Sequence, residues 1–198
     1  MAREARTRRG APMRRRLLRI YAGGRVAGAT QVPSPNFDER PAGVTVSLVV
    51  VHGISLPPGR FGGDAIRRLF TNRLNPASHP YFASIAGLRV SAHFLIRRDG
   101  ELLQFVDCNA RAWHAGASTF RDRSNCNDFS IGIELEGTDE RPYTGAQYRT
   151  LSHLIEALRA RYPIRDVAGH SDIAPGRKTD PGPSFDWRRI CPDRRLPR

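Results

Sequence analysis

The sequence predicts a single α/β domain, a central mixed β-sheet flanked by helices, and three features carry that expectation. A Val-rich run at residues 46–51 has the character of a central strand covered on both faces. The stretch Ile131-Gly132-Ile133-Glu134-Leu135-Glu136 alternates apolar and acidic side chains with the period of two that a strand requires. Thr144-Gly145-Ala146-Gln147 has the form of a capping box, which satisfies exposed backbone N–H groups at a helix start. Strands and helices interleaved in this way favour one α/β layer architecture. A chain of 198 residues, 39% hydrophobic, is long enough for one such core.

Along the chain, residues 1–28 read as a basic, disordered extension, residues 29–190 as the domain and residues 191–198 as a basic tail. Ordered sequence is expected from about Val32-Pro33-Ser34-Pro35. The strand at 46–51 runs into His52-Gly53, and a Gly/Pro-rich loop at 56–63 leads to a short helix at 64–70. Residues 92–97 and 101–106 flank Arg98-Asp99-Gly100, where the Asp-Gly pair marks a hairpin. A further strand covers 130–135. The helix after Thr144 presents Tyr148, Leu151, Leu154, Ile155 and Leu158 at helical spacing and ends before Pro163. Residues 167–187 are mostly loop.

The formal charge of +13 suggests a polyanion partner until its distribution is considered. Nine Arg against Glu4 at residues 1–28, and five Arg against Asp193 at residues 188–198, account for all but one of those charges. The body is close to neutral, so no specific nucleic-acid partner is expected. Cys108, Cys126 and Cys191 are odd in number and lack C-x-x-C spacing, which argues against a disulfide framework and a Cys-rich zinc site. Arg14-Arg15-Arg16 precedes two leucines, but Arg19 and Arg25 interrupt any apolar export segment, and no stretch is long enough to span a membrane. A cytoplasmic, membrane-free and monomeric protein is the expectation.

The histidines divide by context. His153 falls on the polar side of its helix, His79 lies in a loop and His93 lies within a strand. His52 and His170 end strands that open into loops, the usual place for a site, and His114 stands apart within Ala112-Trp113-His114-Ala115-Gly116. Glu134 fits either a sheet with one wet face or a carboxylate held on a rigid strand as a general base. Two histidines and a carboxylate from separate segments are also the makings of a three-ligand zinc site with an open position. Of the 32 basic residues only Lys178 is lysine. A compact ammonium in so Arg-biased a chain suggests a point charge that guanidinium cannot replace.

These segments resemble, in order, the AmpD-type branch of the zinc N-acetylmuramoyl-L-alanine amidases, a family that includes peptidoglycan recognition proteins and phage lysozyme-type amidases. The resemblance spans roughly residues 32–187 and rests on VPSP, VVHGISLPP, HPYFASIAGLRVSAHFLIRRDGELLQFV, RAWHAG, CNDFSIGIELEGTD and RKTDPGPSFDW. It implies one Zn2+ per chain on His52, His170 and Asp180, with Glu134 as catalytic base and Lys178 as the catalytic lysine. Asp180 stands where the phage and animal branch has Cys, which favours the AmpD side. The implied activity is hydrolysis of the amide between (1,6-anhydro-)N-acetylmuramic acid and L-Ala in cell-wall recycling, on a muropeptide or anhydro-muropeptide. Trp113 and His114 are candidates to line the sugar pocket, and Arg89 to meet a stem-peptide carboxylate. A secreted or phage-type lytic amidase acting on intact peptidoglycan, and a non-catalytic muropeptide-binding module, are the alternatives. One departure is Gly53, where this branch usually carries Asn.

Overall fold

The computed structural model describes residues 18–192. Its main sheet has six strands in the order β1-β5-β4-β9-β3-β10: β1 Thr30–Gln31, β3 Leu48–Ile54, β4 Phe94–Ile96, β5 Leu102–Gln104, β9 Ser130–Glu136 and β10 Asp166–Gly169. Two small ribbons complete the set, β2 Phe37–Asp38 with β6 Arg111–Ala112, and β7 Thr119–Phe120 with β8 Arg123–Ser124. The helices are α1 Ala65–Phe70, α2 Pro80–Ser84, α3 Gly145–Arg161 and α4 His170–Ile173. Strand β3 runs parallel to both β9 and β10, β9 runs parallel to β4, and β4 pairs antiparallel with β5 across the expected hairpin. The sheet is therefore mixed.

The two-residue period of a strand sorts its side chains between two cores. On one face Val49 and Val51 of β3 and Ile131, Ile133 and Leu135 of β9 meet Leu151, Leu154 and Leu158 of α3. That helix begins at the expected capping box, with the Thr144 hydroxyl accepting from the Gln147 N–H and the Gln147 side chain accepting from the Thr144 N–H. On the opposite face Leu48 and Val50 pack with Ala168 and Ile173, while Leu95, Leu103 and Phe105 receive α1 through Ile66, Leu69 and Phe70. Every residue of β9 is buried, including Glu134 and Glu136. The wet-face reading of that strand does not hold.

The extension assigned to residues 1–28 is too long. Residues 18–28 fold onto the domain, where Ile20 and Val26 form an antiparallel bridge and Val26 is 2% exposed in the main core. Gln104 locks this turn in place: its Oε1 accepts from the Val26 N–H at 2.8 Å and its Nε2 donates to the Gly24 carbonyl at 2.9 Å. Arg19 and Arg25 gave the stretch its extension-like charge, but they alternate with Leu18, Ile20 and Val26, which turn inward. Cys191, assigned to the tail, also packs partly against the core. Residues 1–17 and 193–198 lie outside the described residues.

Candidate active site

The site lies at the carboxyl ends of β3, β9 and β10, the edge where parallel strands release their chain into loops. His52 on β3 and Glu134 on β9 are register partners, so they share the face that Leu48 and Val50 occupy further down. His170 follows β10 directly, with the same parity as the inward-facing Ala168. Asp180 arrives from the following loop, which is tied back by the Ser171 N–H donating to the Asp180 carbonyl.

Three of these segments bring three ligand atoms together. His52 Nδ1 and His170 Nδ1 lie 2.9 Å apart, and Asp180 Oδ2 lies 3.3 Å from the first and 3.2 Å from the second. Tetrahedral coordination with bonds of about 2.1 Å has edges of about 3.4 Å, so the triangle has the size of one face of such a site. Among the described residues this is the cluster that could hold a metal ion. The protonation states agree. Burial lowers the pKa of His52 to about 4, which leaves a neutral imidazole. Burial opposes ionisation of Asp180, but its contacts with His170 and His52 outweigh that and hold it well below the usual carboxylate range. A neutral imidazole and an ionised carboxylate are donors that a divalent cation binds.

Glu134 Oε2 is buried without a hydrogen-bond partner. Burial, reinforced by the Asp180 carboxylate and opposed by Lys178, raises its pKa well above the ordinary value. A strongly shifted carboxyl with a bare oxygen beside a ligand cluster makes Glu134 a candidate acid–base. His52, Glu134, His170, Lys178 and Asp180 all line one cleft of about 680 Å³.

The sequence profile of the N-acetylmuramoyl-L-alanine amidases matches residues 42–183, which contain all five of these residues. The chain belongs to that family. It is 60% identical over 169 residues to the 1,6-anhydro-N-acetylmuramyl-L-alanine amidase AmpD of Citrobacter freundii, covering 84% of this chain and 90% of the relative. The AmpD of Escherichia coli strain K12 is 59% identical over 169 residues, with 84% and 92% covered. Among solved structures, a Se-Met AmpD derivative superposes with a TM-score of 0.83 at 60% identity, covering 85% of this chain and 95% of that one.

Within this amidase, the other candidates fall in different places. Trp113 lines the cleft, while its indole and Arg111 hold Asp38: hydrogen bonding to Arg111 first, against burial, keeps the Asp38 carboxyl below its ordinary pKa. His114 also borders the cleft, yet both its ring nitrogens are engaged inside the protein, by His52 and Ser130. Arg89 is exposed and opens on a separate, shallow depression with Leu69 and Asn72. His93 is a core histidine. Its Nδ1 accepts from the Gly132 N–H at 3.0 Å, so its Nε2–H is free to donate to the Ala110 carbonyl at 3.1 Å.

Two participants were not singled out from sequence. Arg177 reaches the Ala115 and Ala117 carbonyls at 2.6 and 2.7 Å and so fastens the His170 loop to the segment carrying His114. In a chain with 31 arginines nothing marks it out. Tyr143 packs its ring against Gly53 and Gly137, and its hydroxyl donates to the Pro181 carbonyl at 3.0 Å, next to Asp180. Gly53 is thus more than a missing Asn. A Cβ there would fall well under 3 Å from the Tyr143 hydroxyl.

Proposed function

We propose that this chain is a zinc-dependent amidase that releases L-alanine-headed peptides from 1,6-anhydro-N-acetylmuramic acid during turnover of peptidoglycan. The observation that carries the reading is the His52–His170–Asp180 triangle with a buried, unpartnered Glu134 oxygen in the same cleft. His52 Nδ1, His170 Nδ1 and Asp180 Oδ2 would hold one zinc. Zinc in such a setting supplies a Lewis acid for water activation and carbonyl polarisation.

The protein groups divide the remaining work. Glu134 Oε2 takes the proton of the attacking water and returns it to the leaving nitrogen. A carboxyl whose pKa burial raises is better matched to giving a proton back as well as taking one. Lys178, exposed on the cleft wall, brings an ammonium to the oxygen that gains charge. The apolar wall formed by Leu56, Leu69, Phe70 and Trp113 gives the sugar a dry surface. Support for the anhydro-muropeptide comes from the identity to AmpD and from the Escherichia coli amidase AmiD. The latter was solved with anhydro-N-acetylmuramic acid-L-Ala-D-gamma-Glu-L-Lys and superposes with a TM-score of 0.56 at 26% identity. Among the described residues no helix is long and apolar enough to cross a membrane. A cytoplasmic monomer acting on soluble fragments is the corresponding setting.

The decisive experiment offers the protein soluble anhydro-muropeptide and polymeric peptidoglycan side by side, with and without a chelator. Release of free peptide from the soluble substrate, lost on chelation and restored by zinc, is the expected result. Preferential cleavage of the polymer would transfer the chain to the lytic class. Binding without cleavage at full zinc occupancy would make it a receptor.

A further inference from the structure

His52 offers Nδ1 to the ligand triangle only if its proton sits on Nε2, and the structure contains a chain of hydrogen bonds whose direction sets that choice. It starts from a carbonyl, which can only accept. The Ser130 hydroxyl lies 2.5 Å from the Cys126 carbonyl and donates to it. The Ser130 oxygen must then accept from His114 Nε2, 3.2 Å away. A neutral His114 protonated on Nε2 has a bare Nδ1, and that atom lies 2.9 Å from His52 Nε2. His52 Nε2 therefore donates, and the lone pair of His52 Nδ1 is left pointing at His170 and Asp180. The two rings meet almost edge-on, with an interplanar angle of 85°.

The surroundings are built for this ring. Gly132 on β9 leaves the space: a Cβ there would stand 2.6 Å from His114 Nδ1. Asn127 Oδ1 accepts from the N–H groups of both His114 and Ala115, at 3.1 and 2.8 Å, and so fixes the backbone beneath it. His93, whose own nitrogens are committed to Gly132 and Ala110, does not compete for the contact. The next residue does the same service for the second ligand, since the Ala115 carbonyl accepts from His170 Nε2 at 3.1 Å.

We infer that His114 is a positioning residue of the metal site, holding His52 in the Nε2–H tautomer through the relay His52–His114–Ser130–Cys126. The inference rests on the zinc-amidase reading. It places His114 behind the ligand, where a carbonyl or carboxylate is the usual partner of a coordinating histidine, and groups so placed typically carry 10–100-fold in metal affinity.

The test uses the full-length protein, zinc-free and zinc-loaded, with His114→Phe, His114→Asn and Ser130→Ala. Long-range 1H–15N spectra report the His52 tautomer, and competition with a chelator reports the zinc Kd. Wild type should show His52 as the Nε2–H form without metal. His114→Phe should mix the tautomers and weaken zinc by about 10–100-fold. His114→Asn places an amide oxygen where Nδ1 was and should return most of that affinity, which general damage to packing would not allow. Ser130→Ala keeps both rings and should produce a smaller loss in the same direction, so it carries the test if the Phe variant does not fold. A pure Nε2–H His52 in every variant, or zinc Kd values all within about twofold of wild type, well inside the usual loss, overturns the inference. A folded wild type that binds no zinc overturns the amidase reading and this inference with it. A wild type that binds zinc beside unaffected variants overturns this inference alone.

Discussion

Gly53→Ala gives the sharpest check on how the Asp180 side of the site is assembled. The added Cβ would fall well under 3 Å from the Tyr143 hydroxyl but 3.6 Å from its Cζ, so the conflict is with one oxygen atom. That oxygen cannot swing away freely, because the Tyr143 ring is buried between Phe185, with centroids 5.5 Å apart, and Gly137. Forcing it aside is an overpacking defect of about 1–3 kcal/mol. It also breaks the hydrogen bond to Pro181, worth about 1 kcal/mol net. Replacing glycine by alanine within a strand returns roughly 0.5–1 kcal/mol. The balance is a loss of about 2 kcal/mol, or roughly 4–8 °C in Tm for a chain of this size. Tyr143→Phe alone should cost only about 1 kcal/mol. Adding Gly53→Ala to Tyr143→Phe should cost almost nothing further, since only the 3.6 Å contact remains. Urea unfolding of the two single variants and the double variant yields the coupling energy. Additive losses, or a Gly53→Ala protein within about 0.5 kcal/mol of wild type, would refute the account of Gly53 as clearance for that hydroxyl.

Other outcomes follow from the same geometry. Lys178→Arg should lower kcat on anhydro-muropeptide by about 10²–10³ while zinc content is unchanged, and a kcat within about threefold of wild type would remove the ammonium from the mechanism. Burial, followed by the Arg40 charge, lowers the pKa of His93 well below 6.5, so the fold keeps it neutral while the unfolded chain protonates it. That contribution is complete above about pH 6.5 and is lost as pH falls below it, by up to about 1.4 kcal/mol per pH unit. Urea midpoints of the zinc-free protein across pH 4–7 should therefore fall less steeply in His93→Gln. Removing residues 1–17 should leave hydrolysis of soluble muropeptide unchanged, whereas removing residues 1–28 should cost about 2–4 kcal/mol through the Val26 side chain and the two hydrogen bonds that Gln104 makes to Val26 and Gly24. Equal Tm values for the two truncations would contradict that packing.

The sheet and α3 were readable because period-two and period-3.6 patterns survive burial, as the alternating isoleucines of β9 and the capping box show. His52 and His170 could be singled out because the strands expected there open into loops, and Glu134 because a carboxylate alternates with isoleucines in its strand. Nothing in the spacing joins residue 52 to residue 170, and only the parallel pairing of β3 with both β9 and β10 does so. Asp180 entered through family resemblance, since a loop residue carries no periodic signal, and Lys178 stood out from composition alone, as the one lysine among 32 basic residues. The turn at residues 18–28 was obscured because arginine count outweighs three apolar residues in any reading of composition. Tyr143 was unreadable for a different reason: its place depends on two glycines, and an absent side chain leaves no pattern.

Strand β9 has a consequence for how such a chain can change. On its cleft side Ser130, Gly132, Glu134 and Glu136 stand in a row, and no two of them serve the same purpose. Ser130 steadies His114, Gly132 leaves that ring its room, Glu134 faces the cleft, and Glu136 accepts from the Arg98 N–H at 3.3 Å. Between them Ile131, Ile133 and Leu135 fill the helix-side core. A one-residue slip would exchange the two sets, carrying carboxylates into hydrocarbon and isoleucines into the cleft. Point substitutions on the cleft side can therefore tune activity one function at a time. An insertion or deletion in this strand has no intermediate outcome, because the same seven residues both face the cleft and fill the core.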